Sequence, residues 1–359
     1  MAAQALSLPA AQKGIKIMPI AAFPKMRALA WDDDLLYASR GYSVLSARME
    51  GGEIKWANAG HYRPEWWREL SSQHALSFRL ARDGFHALAI TAEGNLVAAV
   101  PGAIVTLHRG QTEFRVTHRL LRGTRPLHIA SAPDGRVFWG EYFDNSHRDE
   151  VHIYASSDGG LTWNVAYTFS VGSIRHVHNI TYDRWENCLW IFTGDYGREC
   201  RILRATSDFS RVDEVLSGNQ QARAVAAVIV RDGVFFASDT PLEQNYIYFV
   251  DRSGRVRKLT AIPSSSIYSC RNRNGIFFST MVEPSRVNRS RMVTVFGSGN
   301  GEHWDRLAEW SKDQWPMKFF QYGNAFLPDG HNSTDLVAVS TIGVNDADLR
   351  TSIWRTLLV

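Results

Sequence analysis

The sequence predicts an all-β fold, a seven-bladed β-propeller made of four-stranded blades. Two observations carry this prediction. Short β-rich runs joined by Asp, Asn and Gly turns recur along the chain, and a period of about 40–50 residues is typical of propeller blades. The seven inner strands are predicted to begin near these residues: Arg27, His86, Leu127, Val177, Ala224, Ile267 and Phe319. Short strands are easily miscounted, so six or eight blades are the alternatives.

The two ends of the sequence are predicted to close the ring. The last repeat leaves room for only three strands before Val359, and the β-rich segment 14–20 can supply the fourth. Residues 14–359 are therefore predicted to form a single propeller domain, preceded by a tail of residues 1–13. The first repeat is long because residues 61–70 form an insertion between the first two blades.

Composition and charge exclude several classes of protein. Of 359 residues, 45% are hydrophobic and 21% charged, which is typical of a globular chain and excludes a disordered one. No apolar run is long enough to cross a membrane. The net charge of +4 is too small to indicate a nucleic-acid partner. We therefore expect neither a membrane nor a nucleic acid as a partner.

The cysteines and the N-terminus bear on location. Cys188, Cys200 and Cys270 are odd in number and widely spaced, so they predict neither a disulfide framework nor a zinc site. Reduced thiols are typical of the cytosol. The first residues lack the basic and apolar regions of a signal peptide. We expect a cytoplasmic protein, with export through a leader outside this sequence as the alternative.

One turn resembles a known repeat. Residues 156–163 match the pattern Ser-x-Asp-x-Gly-x-Thr-Trp at every fixed position, and residues 297–304 keep only Gly301 and Trp304. The segment resembles the Asp-box, the bacterial neuraminidase repeat of sialidase-like and related glycan-processing propellers. The Asp-box is a structural turn, so the resemblance implies that Asp158 binds the amides of its own turn and that Trp163 packs beneath it. The resemblance also implies activity on carbohydrates.

The repeat places chemically active residues on one face, here called the top face. This face carries the loops that enter the inner strands and the loops that join second to third strands. The entries to the inner strands give a ring of cations, imidazoles and phenols: Arg27, His86, Arg125, His128, Arg175, His176, His178, Arg223, Tyr268, Lys318 and Tyr322. The ends of the second strands give a ring richer in carboxylates: Arg40, Tyr42, Glu141, Tyr142, Asp195, Asp239, Glu243 and Glu283.

These two rings favour an acidic sugar as ligand. Guanidinium groups bind carboxylates bidentately, so clustered arginines suit a uronate or a sialic acid. Asn245 ends a polar loop on the same face and is predicted to bind substrate. Trp66 and Trp67 lie in the insertion and could stack on sugar rings; a hydrophobic plug beneath the loop is the alternative. The expected partner is an acidic polysaccharide or oligosaccharide.

The strongest local signal is the pair His176 and His178. Residues two apart on a strand point to the same side. One imidazole could act as a base, or both could bind a divalent metal ion. Because the spacing provides no third ligand, we predict no metal or other cofactor and keep the ion at His176 and His178 as the alternative. Asp195 could orient an imidazole.

Three functions remain open. The first is a polysaccharide lyase acting by β-elimination, which needs a base, an acid and a cation on the uronate. Its predicted residues are His176 or His178 as base, Tyr182 or Tyr142 as acid, and Arg175, Arg198 or Arg223 as the cation. The second is a sialidase-like or other glycoside hydrolase, with candidate carboxylates at Glu141, Asp195, Asp239, Glu243 and Glu283. The third is a non-catalytic propeller that binds a glycan or a protein.

Overall fold

The computed structural model describes residues 14–49 and 53–359. It confirms the seven-bladed propeller of four-stranded antiparallel blades. The predicted tail, residues 1–13, lies outside the described residues. In each blade the first strand lines the central channel and the fourth lies at the rim.

The strands of the first six blades follow one another in sequence. From the channel outwards, blade 1 has Arg27–Asp33, Leu35–Arg40, Ser43–Arg48 and Ala57–His61, and blade 2 has Leu88–Ile90, Leu96–Val100, Ala103–Leu107 and Arg115–Arg119. Blade 3 has Ala130–Ser131, Val137–Gly140, Val151–Ser156 and Asn164–Phe169, and blade 4 has His176–Asp183, Cys188–Gly194, Arg201–Thr206 and Val212–Ser217. Blade 5 has Ala224–Val230, Gly233–Ser238, Asn245–Asp251 and Val256–Ile262, and blade 6 has Ser266–Arg271, Ile276–Thr280, Met292–Ser298 and Asp305–Ser311.

Blade 7 combines the two ends of the described chain. Its strands, from the channel outwards, are Asn324–Phe326, Leu336–Ile342, Arg350–Leu358 and Ile15–Pro24. The N-terminal strand pairs antiparallel with the last strand, from Ile15 opposite Leu358 to Pro24 opposite Arg350. The predicted closure of the ring is therefore correct.

The predicted start of the seventh inner strand is wrong. Phe319 lies in a short helix, Met317–Phe320, and the strand begins only at Asn324. The aromatic run around Phe319 has strand propensity, but Gln321 at φ 69° turns the backbone away at the end of the helix. A further strand, Asp329–Asn332, pairs in parallel with the inner strand of blade 1.

The insertion between blades 1 and 2 is helical. It contains the helices Trp66–Ser71 and Ala75–Ala81, and a 3₁₀ turn, Gly197–Glu199, lies in blade 4. Arg79 of the second insertion helix is 1% exposed. Its Nη1 lies 3.2 Å from Asp348 Oδ2 and its Nη2 donates to the carbonyl oxygen of Phe320 at 2.7 Å. These bonds join the insertion to the segment that enters blade 7.

The core lies between neighbouring blades. Each sheet packs on both faces, so second strands such as Cys188–Gly194 are buried along their whole length. Phe138 and Ile153 of blade 3 pack with Leu189 of blade 4, and all three are fully buried. This packing holds the ends of adjacent strands in fixed positions around the top face.

Candidate functional site

The first strand of blade 4 brings two imidazole rings together at the top face. Nε2 of His176 lies 3.1 Å from Nε2 of His178. His176 Nδ1 is 2.9 Å from the carbonyl oxygen of Phe143, and His178 Nδ1 is 3.0 Å from that of Ala224. A carbonyl oxygen only accepts hydrogen bonds, so both Nδ1 atoms carry protons. In the neutral rings, the two Nε2 lone pairs therefore face each other.

Asp195 completes this cluster from the end of the neighbouring strand. Its Oδ1 lies 3.1 Å from His178 Nε2 and 3.5 Å from His176 Nε2. Burial lowers the pKa of His178. Burial would by itself raise the pKa of Asp195, but hydrogen bonds from a protonated imidazole, together with the charge of Arg223, hold that pKa far below its usual value. The carboxylate is therefore ionised at neutral pH. We call these three residues the His–Asp cluster.

Gly194 makes room for this arrangement. A Cβ atom at this position would collide with the imidazole ring of His178. We therefore expect Gly194→Ala to displace that ring and to lower the free energy of unfolding by about 1–3 kcal/mol, as overpacking does in other cores. Denaturant unfolding would measure the loss. A His178→Ala background is the control, because without the imidazole ring the methyl group added at position 194 should cost less stability; equal losses in both backgrounds would contradict the explanation.

Two arginines flank the cluster, and both have carboxylate partners. Arg175 Nη1 lies 3.1 Å from Asp195 Oδ2, and the same guanidinium pairs with Asp144. Arg223 Nη2 lies 3.4 Å from Asp195 Oδ1 and 3.6 Å from Asp239 Oδ2. The positive charges of Arg175 and Arg223 are therefore largely balanced by this chain's own acids.

Asp239 differs electrostatically from Asp195. Burial raises the pKa of Asp239 to about 7, against the opposing charge of Arg223, and Glu283 adds to the rise. Both carboxylates contact Arg223, yet their pKa values are driven in opposite directions. Such a divided pair is typical of acid–base sites.

The raised pKa of Asp239 predicts a pH dependence of stability. Between about pH 4 and pH 7 the native chain holds a proton that the unfolded chain has released, so this contribution is complete below pH 4 and lost as the pH rises through 7. Relative to Asp239→Asn, the wild type should lose free energy of unfolding across that window. Denaturant titrations at several pH values would show it. Asp232→Asn, at an exposed turn, should parallel the wild type, and parallel curves for Asp239→Asn would refute the prediction.

Tyr142 lies over the His–Asp cluster. Its ring centroid is 4.3 Å from that of His176 and 6.2 Å from that of His178. Burial raises the pKa of Tyr142, and the charges of Asp195 and Asp239 raise it further. The phenol therefore keeps its proton at neutral pH and is available as a hydrogen-bond or proton donor.

A second group of residues lies at the starts of the inner strands of blades 1, 2, 3 and 6. It consists of Arg27, His86, Arg125 and Tyr268, and we call it the cationic cluster. Arg27 Nη2 donates to the carbonyl oxygen of His86 at 3.0 Å, and its guanidinium lies 3.7 Å from the ring centroid of Phe326. Burial lowers the pKa of Arg125 to about 10, and Arg27 adds to this effect. Among the described residues, neither arginine has a carboxylate within 4.0 Å.

Several nitrogens around this cluster have no partner. Nε of Arg27 and Nε2 of both His86 and His128 are buried without a hydrogen bond among the described residues. Nδ1 of His128 lies 3.1 Å from Asp329 Oδ2. Burial raises the pKa of Tyr268, while Arg27 and Arg125 oppose the rise. Buried nitrogens without a hydrogen bond are costly, and two partly buried guanidinium groups lie beside them, so this region is suited to an anionic ligand.

Two predicted residues make no hydrogen bond or ion pair with the His–Asp cluster among the described residues. Tyr182 is six residues along the strand from His176, about 20 Å at the rise of a β-strand, and its hydroxyl donates to Asn187 Oδ1 at 2.7 Å. The structure thus corrects the grouping of Tyr182 with the imidazoles: strand length separates them. Arg198 is exposed on the 3₁₀ turn.

Two other predicted residues have their polar atoms bound within the fold. Glu141 accepts a hydrogen bond from the backbone amide of His152 at 2.8 Å and pairs with Arg122. Asn245 is fully buried, and its Oδ1 accepts from the amide of Thr240 at 2.9 Å. Both hold loops in place, which corrects the expectation that they face a substrate.

The remaining predicted residues spread over the surface around the site. Arg40, Glu243 and Lys318 are exposed. Trp66 and Trp67 are 76% and 43% exposed, so they do not form a plug beneath the insertion. Glu283 is partly exposed and Tyr322 is 40% exposed. Burial raises the pKa of Tyr322, and the charge of Glu283 adds to that rise as it does to that of Asp239.

Sequence reasoning missed some functional positions. Asp144 was not singled out, although it follows the predicted pair Glu141 and Tyr142 by two residues. Asp329 was missed because the inner strand of blade 7 was placed too early. The sequence did offer a signal for Gly194, because a glycine within a strand often marks a place where another group approaches the backbone closely.

The Asp-box-like turn has the bonding expected from its sequence. It joins the third and fourth strands of blade 3. Asp158 Oδ1 accepts hydrogen bonds from the amides of Leu161 at 3.0 Å and Thr162 at 2.9 Å. Burial would raise the pKa of Asp158, but the hydrogen bonds to its carboxylate outweigh that effect and lower the pKa to about 2. Trp163 Nε1 donates to Thr117 Oγ1 at 3.2 Å. The turn is structural.

Comparisons with known proteins define the class of fold. No protein-family model and no curated protein sequence matches the chain. Among solved structures, a chain of the mitotic checkpoint complex is similar with a TM-score of 0.55 and 10% identity, covering 99% of this chain and 98% of that one. The WD40 β-propeller domain of Doa1 is similar with a TM-score of 0.51 and 13% identity, covering 95% and 97%. At these identities the likeness shows a β-propeller fold alone.

In the part of the chain that the structure describes, no helix combines the length and the apolar character needed to cross a bilayer.

Proposed function

We propose that the top face is an active site that cleaves an acidic, uronate-containing glycan by β-elimination. The single observation that supports this most is the pairing of unlike clusters on one face. The cationic cluster has unbalanced positive charge, and the His–Asp cluster with Tyr142 offers groups that can move protons. A scaffold that only binds a partner has no need of buried titratable groups with strongly shifted pKa values.

The cationic cluster suits the carboxylate of the sugar. Arg27 and Arg125 are partly buried and have no carboxylate partner within 4.0 Å among the described residues, whereas Arg175 and Arg223 are paired with this chain's own acids. A bound uronate would balance the first two charges and accept hydrogen bonds from their guanidinium groups. Binding there would also make the proton on the neighbouring ring carbon, C5, more acidic.

The residues around His176 suit the proton transfers. A base removes the C5 proton, the electron pair of that bond forms the C4–C5 double bond, and the C4–oxygen bond breaks. The leaving oxygen then takes a proton from an acid. His176 is the proposed base, and Tyr142, whose ring lies 4.3 Å from His176, is the proposed acid because its raised pKa keeps it protonated.

A glycoside hydrolase is the second candidate, and one observation favours it. Asp195 is held ionised and Asp239 has a pKa of about 7, while Arg223 contacts both. An ionised and a protonatable carboxyl group are what acid–base hydrolysis of a glycoside needs.

The resemblance of residues 156–163 to an Asp-box adds support for a carbohydrate substrate. The WD40-like fold supports the third alternative, a propeller that binds a protein partner, and fold alone does not decide between them. A cytoplasmic location is part of the proposal and rests on the sequence alone.

An activity screen on uronate-containing glycans tests the proposal. Ultraviolet absorbance detects the conjugated double bond left by elimination, and a reducing-end assay detects either kind of cleavage. Both signals rising together are expected. Reducing ends without absorbance would transfer the assignment to the hydrolase, and no signal on a broad panel of acidic glycans would refute cleavage and favour a binding propeller.

A further inference from the structure

We propose that His176, His178 and Asp195 bind one divalent transition-metal ion. The first argument is the direction of their lone pairs. Both imidazoles donate from Nδ1 to backbone carbonyls, so both Nε2 atoms present lone pairs to each other and to an ionised carboxylate. While both rings are neutral, the two Nε2 lone pairs repel each other and the carboxylate, and the one donor near the three acceptors among the described residues is Arg223, with its Nη2 3.4 Å from Asp195 Oδ1. A cation between them removes the repulsion.

Distances support an ion at this position. Metal–ligand bonds of about 2.0–2.2 Å at angles between about 90° and 109° place neighbouring ligand atoms about 2.8–3.6 Å apart. The three separations here are 3.1 Å between the imidazole nitrogens and 3.1 and 3.5 Å from them to Asp195 Oδ1. The donor atoms are already spaced as ligands of one ion.

The surroundings hold these ligands in place. Metal-binding histidines commonly donate their other nitrogen to a carbonyl oxygen, as both do here to Phe143 and Ala224. Arg175 binds Oδ2 of Asp195 at 3.1 Å and leaves Oδ1 directed at the imidazoles. The two histidine side chains are 6% and 2% exposed, so the donor set is fixed before an ion arrives.

The donor set indicates which ions fit. Two imidazoles and one carboxylate suit borderline ions such as Zn²⁺ or Co²⁺, and also Mn²⁺, better than Ca²⁺, which prefers six or more oxygen ligands. Three protein ligands leave positions for water. If glycan cleavage also holds, a water on this ion takes the place of His176 as the base; that part rests on the proposed function, whereas metal binding does not.

The test measures binding directly on the full chain. Protein stripped with a chelator is titrated with ZnCl₂ and with MnCl₂ by calorimetry, and bound metal is counted by mass spectrometry after dialysis. We expect one equivalent per chain for at least one ion. Asp195→Asn keeps the size of the side chain, and His178→Ala removes a nitrogen; each should weaken binding by about 100-fold or more.

Controls separate this site from surface binding and from misfolding. His108→Ala removes an exposed histidine and should bind as the wild type does. Circular dichroism shows whether each variant is folded. If His178→Ala is unfolded, the result for Asp195→Asn alone tests the proposal. If Asp195→Asn is unfolded as well, the test is whether the ion protects the wild type against thermal unfolding. The proposal is overturned if folded wild type binds neither ion in a 1:1 ratio, or if Asp195→Asn binds as tightly. Neither result depends on glycan cleavage.

Discussion

Replacing Tyr142 with phenylalanine is expected to lower kcat for glycan cleavage by about 10²–10⁴-fold, the usual contribution of a general acid. The change removes only the hydroxyl group. The ring that lies against His176 stays, so the fold and substrate binding should be preserved and KM should change little. Steady-state kinetics on the glycan identified in the screen would measure both constants.

Tyr182 provides the matched control. The sequence also predicts Tyr182 as a candidate acid. In the structure it lies at the far end of the same strand as His176, and its hydroxyl donates a hydrogen bond to Asn187. Tyr182→Phe should keep the wild-type kcat. Equal activity of Tyr142→Phe and the wild type would remove Tyr142 from the mechanism, and a loss confined to Tyr182→Phe would place the site on the opposite face.

Replacing Asp183 with alanine is expected to lower the free energy of unfolding by about 3–5 kcal/mol, as removal of one partner from a buried ion pair does. Asp183 is fully buried. It accepts from Trp190 Nε1 at 3.0 Å and from the amide of Trp185 at 2.9 Å, and it pairs with Arg252 of blade 5. The substitution removes the acceptor of the two tryptophan N–H groups and the buried partner of Arg252, which keeps, among the described residues, only Glu186 at 3.5 Å and backbone carbonyl oxygens.

An exposed ion pair gives the contrast for this measurement. Arg257 and Glu302 lie 2.9 Å apart, with about half of each side chain in solvent. Glu302→Ala should change the free energy of unfolding by about 0.2–1 kcal/mol. Urea unfolding of both variants would measure the difference. A loss for Asp183→Ala no larger than that for Glu302→Ala would show that the buried pair does not hold blades 4 and 5 together.

Much of the fold could be predicted from the sequence because a propeller repeats. Turn residues and alternating strands recur in each blade, so seven weak signals support one another. The closure of the ring followed from counting the strands left over before Val359. The start of the seventh inner strand was predicted wrongly because Phe319 has strand propensity, although it lies in a short helix that ends at Gln321 with a positive φ.

The candidate site was predictable only in part. His176, His178 and Asp195 stood out because adjacent strands end on the same face, and the strand pairing does bring them together. Side-chain partners were not predictable, since pairing such as that of Glu141 with Arg122 depends on the approach of separate loops. Tyr182 was grouped with the histidines by sequence proximity, although six residues of extended strand separate it from His176.

Closure of the ring by the N-terminal strand sets an order of events during synthesis. The strand Ile15–Pro24 leaves the ribosome before blades 1 to 6, but its partner Arg350–Leu358 leaves after them. Blades 1 to 6 each contain strands adjacent in sequence and can form while translation continues. The strand Ile15–Pro24 must therefore wait, with an unpaired edge, until Arg350–Leu358 has been made. Aggregation during expression should depend on how this early segment is protected.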